Sequence, residues 1–353
     1  MPVICFDLEG PLSPQDNAYD VLALAENGHK IFEVISRYDD ILTLEAREDY
    51  EPGDTLRLIV PFLIYHGIGE EDIKKVSKRA KIVSGVKEAV SELQNDGWDV
   101  FIISTSYQQH AHNIGEQIGI SKENIACTKL EMEKYIINVG EADFSILEAI
   151  EKKILEELYP PTDDNKIKEV LDDFFFKKLK GTEMGKIFNE ISVVGGQRKV
   201  NALLKFAKKA GKGLDEVVVV GDSITDFKML GVVKENGGIA VVFNGNEYAI
   251  PYANVAMATP DQRTLLVITA AFIKGGKKET MDAVKTLEKS GLENTPVEIL
   301  PNTVREILDS KNLKAKPPKF NLLEDADKDK IEEVIRIHKD MRSYMRGEAG
   351  KLG

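Results

Sequence analysis

Pro2-Val3-Ile4-Cys5-Phe6, closing on Asp7-Leu8-Glu9-Gly10-Pro11, is the stretch that decides the fold class. An apolar run without polar alternation reads as a strand buried on both faces, which is the condition of strands in a parallel sheet covered by helices. Trp98 to Ile103 and Val217 to Val220 repeat the pattern, and Ile239 to Phe243 is a fourth candidate. Between them lie segments of helical spacing. Ser84 to Asn95 carries Val86, Ala89, Val90 and Leu93, and Lys199 to Ala210 carries Val200, Leu203, Leu204 and Ala207. Strands alternating with helices predict an α/β protein with a doubly wound parallel sheet.

In such a sheet, ligands collect at the carboxyl ends of the strands. The residues after each run are therefore the first candidates for chemistry. The first strand delivers Asp7-Leu8-Glu9-Gly10, the second Ser104-Thr105-Ser106, and the third Gly221-Asp222-Ser223-Ile224-Thr225-Asp226. Lys199 sits on the helix leading into the third strand. A parallel sheet brings four carboxylates, one ammonium and a hydroxyl cluster to one edge. Several carboxylates stay ionised within a few ångströms of one another only beside a cation, so a hard metal is expected, and Mg²⁺ suits oxygen-only ligands. Each piece alone has a bland reading: a turn, a helix cap, a solvated lysine. Their joint occurrence, in this order and each at a strand end, gives the group its meaning.

These residues resemble the four motifs of the haloacid dehalogenase-like superfamily of phosphatases and phosphotransferases. Asp7-Leu8-Glu9-Gly10 is similar to the first motif, Ser104 to the second, Lys199 to the third, and Gly221-Asp222 through Asp226 to the fourth. The Lys199 to Asp222 interval, the Asp222/Asp226 pair and the placement of the first insertion resemble the phosphoserine phosphatase branch, in an archaeal form. The resemblance implies a Rossmann-like core, with Asp7 as nucleophile and Mg²⁺ ligand and the Glu9 carbonyl as a second ligand. It implies Asp222 on the metal, Asp226 supporting the metal shell or steering Lys199, Ser104 and Lys199 on the phosphoryl oxygens, and the Glu9 side chain as acid/base. Two positions depart from the pattern: Glu9 replaces the usual Asp, and Pro11 replaces the usual Thr. The first keeps a titrating carboxyl one methylene longer; the second removes a backbone donor and a hydroxyl.

The core is expected in residues 1–14, 84–128 and 192–262. Residues 15–83 form a helical cap insertion and 129–191 a second, mostly helical one. Residues 263–353 form a helical C-terminal extension ending in a charged helix over Asp325 to Arg346. In that helix Ile331, Val334, Ile335 and Ile337 are the packing residues. Arg57 is similar in place to the residue that holds a substrate carboxylate in phosphoserine phosphatases, and Thr105 is a further substrate candidate. Arg37 and Arg47 are the cap's other arginines. Phe174-Phe175-Phe176 covers more than one face of a helix, leaving a homodimer contact open. His110 and His112 have the wrong helical spacing to share a metal. Gly195-Gly196 and Asn244-Gly245-Asn246 read as turns.

The net charge of −12 in 353 residues speaks against a general nucleic-acid binder. Two cysteines give no disulfide framework, no segment has the length and apolarity for membrane insertion, and no leader pattern opens the chain, so a cytoplasmic protein is expected. The function predicted is a Mg²⁺-dependent phosphatase acting on a small phosphorylated metabolite through an aspartyl-phosphate on Asp7. Transfer of the phosphoryl group to an alcohol, and a non-catalytic regulatory or accessory role on the same fold, remain as alternatives.

Overall fold

The computed structural model describes residues 1–136 and 139–347. Seven strands form one sheet in the order β3-β2-β1-β4-β5-β6-β7. They are β1 Val3–Phe6, β2 Asp99–Tyr107, β3 Ile125–Thr128, β4 Val217–Gly221, β5 Ile239–Phe243, β6 Val255–Ala258 and β7 Lys319–Leu322. All neighbours pair in parallel except β7, which runs antiparallel along the edge of β6.

The period of two in a strand sends alternate side chains to opposite faces. Ile4, Phe6, Val218 and Val220 enter one apolar cluster, while Val3, Cys5, Val217 and Val219 enter another on the reverse face. Both clusters are buried and apolar, which is why the strands lack polar alternation; each fully buried Val or Ile contributes about 1.5–3 kcal/mol. The helices Val86–Asn95 and Gln108–Ile118 lend Val86, Val90, Ala111 and Ile114 to the first cluster. Gly196–Ala210 lends Val200 and Leu203 to the second.

The two insertions make one body. Residues from Ala18 to Val193 share a third cluster, in which Phe62 of the first insertion meets Phe174 of the second at 6.1 Å and Tyr38 stacks on Phe175 at 6.0 Å. Of Phe174-Phe175-Phe176, the first two rings pack inside this cluster. Phe174 and Phe175 are buried, and the Arg47 guanidinium covers the Phe176 ring at 3.8 Å. The physical cause is a π-helical stretch over Phe174–Lys178, which shifts side-chain phase and turns consecutive rings inward.

The C-terminal extension is not wholly helical. β7 supplies a strand that the short sequence Lys319-Phe320-Asn321-Leu322 hardly signals, and the kinked helix Leu266–Ser290 packs over the sheet. The final helix, Lys328–Arg346, packs Val334, Ile331 and Ile335 on the second cluster as expected, and the same face continues into residues the sequence reading did not name. Val334, His338, Met341 and Arg342 are buried, whereas Ile337 is only half-buried. Because β7 runs against the parallel strands, it ends at their amino edge, and the helix after it climbs back. Nineteen residues at about 1.5 Å each reach roughly 28 Å, enough to cross the sheet to the carboxyl edge.

The His338 imidazole is buried and accepts the Gly245 N–H at Nδ1, 2.9 Å away. Burial, with Arg342 adding to it, pushes its pKa from 6.5 down to about 3. The folded state thus refuses a proton that the unfolded state accepts below 6.5, so this contribution is complete above pH 6.5 and drains away as pH falls toward 3. At pH 5 the loss is about 2 kcal/mol. His338→Asn keeps an acceptor for Gly245 without the titration, and its urea midpoint should drop less than that of the natural chain between pH 7.5 and 5. Equal pH slopes in the two proteins would show that His338 is not the source.

Candidate active site

The register of the sheet assembles the site. Phe6 is level with Val220 of β4 and Ile102 of β2, so the next residues of all three strands emerge on one edge. Asp7 continues the ladder, its N–H donating to the Val220 carbonyl at 2.8 Å. The turn after it is closed by the N–H groups of Gly10, Leu12 and Ser13, bonded to the Ser13 and Leu8 carbonyls at 2.7–3.0 Å. None of these bonds calls on Pro11, so its missing donor does not weaken the turn. Gly10 is required: its φ is +103°, and a Cβ there would lie 2.4 Å from the Asp222 carboxyl carbon.

Lys199 is the hub. Its ammonium, fully buried, lies 2.8 Å from Asp7 Oδ1 and 2.7 Å from Asp226 Oδ1. Burial alone works against the charge, yet the two carboxylates hold its pKa above the ordinary lysine value. Asp226 spends its other oxygen on the Asp222 and Ser223 N–H groups, at 2.9 and 3.1 Å. It therefore aims Lys199 and shapes the β4 loop at once. Asp7 is pushed up to about 8, first by burial and then by Asp226, with Lys199 pulling the other way.

One oxygen each from Asp7, Asp222 and Asp226 lies within 4.8 Å of the others. Asp222 gives Oδ2 to Arg342 and to Arg346 (3.0 Å), while its Oδ1 is buried without a hydrogen-bond partner. An orphaned carboxylate oxygen beside two further acids is a donor set that a hard divalent cation fits.

Glu9 occupies the same pocket by a different route. Its Oε1 accepts the Asn17 N–H at 2.9 Å, and His110 Nε2 stands 4.0 Å away. Burial, and then Asp16, lift the Glu9 carboxyl to about 8, with the Asn17 N–H opposing. The shift favours the neutral form, which can donate. His110 cannot take that role: burial lowers it to about 3, and its Nδ1 is engaged by Ser77 Oγ at 2.9 Å.

Asp7, Glu9, Thr105 and Asp222 line one small cavity of about 80 Å³. β2 runs four residues past the expected end at Ile103, so Ser104 is buried within the strand and does not line the cavity; its Oγ accepts the Ser106 N–H at 3.1 Å. Lys199 and Asp226 are fully buried and meet the cavity only through Asp7 and Asp222. Arg57 is not brought to the cavity. Its guanidinium is paired with Asp54 at 2.7 Å and lies over the Phe188 and Tyr50 rings, although its neighbours Thr55 and Leu56 do reach the cavity wall. The cap's contact with the core explains this diversion. Asp54 also takes Arg198 at 2.6 Å, Glu51 takes Lys228 at 2.8 Å, and Gly195 lets Pro52 approach so closely that a Cβ would sit 1.9 Å from its carbonyl oxygen. Gly195-Gly196, read as a turn, instead opens a helix: Gly195 is the N-cap and Gly196 the first residue of Gly196–Ala210, whereas Asn244-Gly245-Asn246 lies outside any helix or strand, as read. Asn244 exchanges two 2.8 Å bonds with Thr259.

The cations that do line the cavity are Arg342 and Arg346, from the C-terminal helix. Sequence reading passed over them. The available signal was the His338, Arg342, Arg346 spacing of four, which places all three on one helical face. Among the described residues, no helix is long and apolar enough to cross a membrane.

A solved structure shares this architecture along its whole length. The gene product AF1437 from Archaeoglobus fulgidus is 27% identical, with 100% of this chain and 99% of that chain covered and a TM-score of 0.80. A phosphoserine phosphatase in apo form is 19% identical over 75% of this chain and 97% of its own, with a TM-score of 0.48. No curated protein matches the chain. The family description of haloacid dehalogenase-like hydrolases matches residues 86–265, just over half of the sequence and the span from the second strand's leading helix to beyond the fourth motif, and the protein belongs to that family.

Proposed function

We propose that the protein is a Mg²⁺-dependent phosphatase that hydrolyses a small phosphorylated metabolite through an aspartyl-phosphate on Asp7. The observation that carries this reading is the buried Asp7–Lys199–Asp226 chain, 2.8 and 2.7 Å long in its two links, beside the orphaned Oδ1 of Asp222. Asp7 and Asp222 would hold the cation, with Asp226 and the Glu9 carbonyl as the remaining candidate ligands. When bound, Mg²⁺ would offset the negative charge of the phosphoryl oxygens and of the clustered acids.

The chain's own groups supply the rest. Asp7 attacks phosphorus, and its ionised form is favoured by Lys199. Lys199 and the Ser104 hydroxyl steady the phosphoryl oxygens, and Thr105 faces the cavity from the same strand end. Glu9, whose neutral form burial favours, donates to the departing oxygen. It then accepts a proton from the water that opens the acyl phosphate. The cap closes the cavity and keeps out bulk water, which favours a small substrate. Passing the phosphoryl group to an alcohol would share the first half of this scheme.

The test is turnover of p-nitrophenyl phosphate and a panel of phosphorylated metabolites with and without Mg²⁺. Activity that survives chelation would sink the scheme. Glu9→Gln addresses the second half. Phosphoenzyme should accumulate in rapid-quench experiments as its hydrolysis slows by about 10²–10⁴-fold, while Mg²⁺ affinity stays close to that of the natural protein. A matched loss of Mg²⁺ affinity would instead make the Glu9 side chain the metal ligand.

A further inference from the structure

His110 is a buried titratable group beside the acid/base Glu9 that the scheme above leaves without a task. It is fully enclosed on the helix Gln108–Ile118, and Ser77, equally enclosed, faces it from the helix Glu70–Lys78 of the first insertion. Asn113 Nδ2 donates to Ser77 Oγ at 2.9 Å and to the Ser77 carbonyl at 3.0 Å. Ser77 Oγ in turn lies 2.9 Å from His110 Nδ1. The ring's other nitrogen, Nε2, is buried, has no hydrogen-bond partner among the described residues, and faces Glu9 Oε1 at 4.0 Å.

A neutral imidazole carries one N–H and one bare nitrogen, and the bond made by one nitrogen settles the state of the other. Ser77 Oγ already accepts from Asn113, so its own proton is placed towards His110 Nδ1. Nδ1 is then the bare nitrogen, and the ring proton sits on Nε2, towards the Glu9 carboxyl. A buried N–H without an acceptor is costly, and the carboxylate is the acceptor nearest to hand. Glu9 also needs a second partner more than an aspartate would. Its extra methylene adds a rotatable bond between the strand end and the carboxyl, and the Asn17 N–H holds Oε1 from one side at 2.9 Å. A separation of 4.0 Å is too long for a hydrogen bond. Catalytic bonds of this kind tighten once substrate is bound, and a small turn about the added Glu9 bond closes the gap.

Resting on the phosphatase reading above, we propose that His110 is a positioning residue for Glu9. In the reacting complex its Nε2–H binds Glu9 Oε1, which leaves Oε2 to exchange the proton in the cavity. The relay from Asn113 through Ser77 sets the tautomer that makes this possible. Ser77 belongs to the cap insertion and His110 to the core, so the acid/base is aimed from the seam between them.

The tautomer is read from imidazole nitrogen NMR shifts, with the His110 signals assigned by their absence in His110→Gln. The proton should be on Nε2 at neutral pH, and the Nε2 signal should move in Glu9→Ala. A proton on Nδ1, or an Nε2 signal indifferent to Glu9→Ala, overturns the proposal. Kinetics supplies the second arm. Glutamine carries an N–H to the Nε2 position, whereas asparagine ends near Nδ1 and keeps only the Ser77 contact. With p-nitrophenyl phosphate, whose leaving group departs readily without a proton, His110→Asn should slow phosphoenzyme breakdown by about 10–100-fold, the scale of one lost hydrogen bond to a charged group. Phosphoenzyme formation should change little, and His110→Gln should lose far less. Equal slowing by the two variants would make the effect one of packing and overturn the role. A natural chain that forms no phosphoenzyme would sink the phosphatase reading, while the tautomer and its response to Glu9→Ala are read without turnover, so the two ideas fail separately.

Discussion

Asp7→Asn is expected to abolish phosphatase turnover, lowering kcat by at least ~10⁴-fold, the scale on which loss of a catalytic nucleophile is felt. The substitution keeps the shape of the side chain and removes its charge, so folding should be little affected. Relief of carboxylate repulsion should even raise thermal stability in the absence of metal, because Asp7 is already driven toward its neutral form by burial and by Asp226. The informative pairing is therefore kcat against melting temperature. A variant that is inactive and as stable as the natural chain, or more so, fits a nucleophile held under electrostatic pressure. Retention of more than about a hundredth of the natural rate would exclude Asp7 as the group that attacks phosphorus.

Lys199→Met should strike both stability and activity. The ammonium is the direct partner of two buried carboxylates, and removing one member of a buried charge cluster commonly costs about 3–5 kcal/mol. Methionine has nearly the same length and no charge, so the loss reports electrostatics more than packing. Denaturant unfolding in chelator should show a deficit of that size, and saturating Mg²⁺ should recover part of it by linkage, since a cation bound only to the folded state stabilises it. Lys199→Arg should not rescue activity, because the larger planar group cannot sit in a fully enclosed site between Asp7 and Asp226. If Lys199→Met unfolds at the same denaturant concentration as the natural protein with and without Mg²⁺, the lysine is not neutralising the acids.

Much of the site was legible in the sequence. β1 and β5 were visible to within a residue, because strands buried on both faces leave unbroken apolar runs. Asp7, Glu9, Thr105 and Asp222 reached one cavity because they directly follow or end such strands, and parallel topology puts those ends on a common edge. β3, β6 and β7 were missed. β3 and β6 are four-residue strands without an extended run, and β7 is an edge strand of mixed polarity whose place depends on pairing with β6, more than sixty residues earlier. Arg57 was misjudged for a related reason. Its local sequence fits a substrate arginine, but Asp54 and two aromatic rings, brought in by cap packing, claim the guanidinium.

The sequence by itself determined the class of sheet, the order of its central elements, and the acidic and basic residues gathered at the carboxyl edge. Each of these follows from short-range periodicity plus one topological rule. Only the tertiary structure decided that the two insertions share a single core and that the last helix returns to the site to seat Arg342 and Arg346 on Asp222, 120 and 124 positions away. Contacts of that span leave no local pattern. They exist because β7 adds antiparallel to the sheet edge and thereby sets the direction in which the following helix must run.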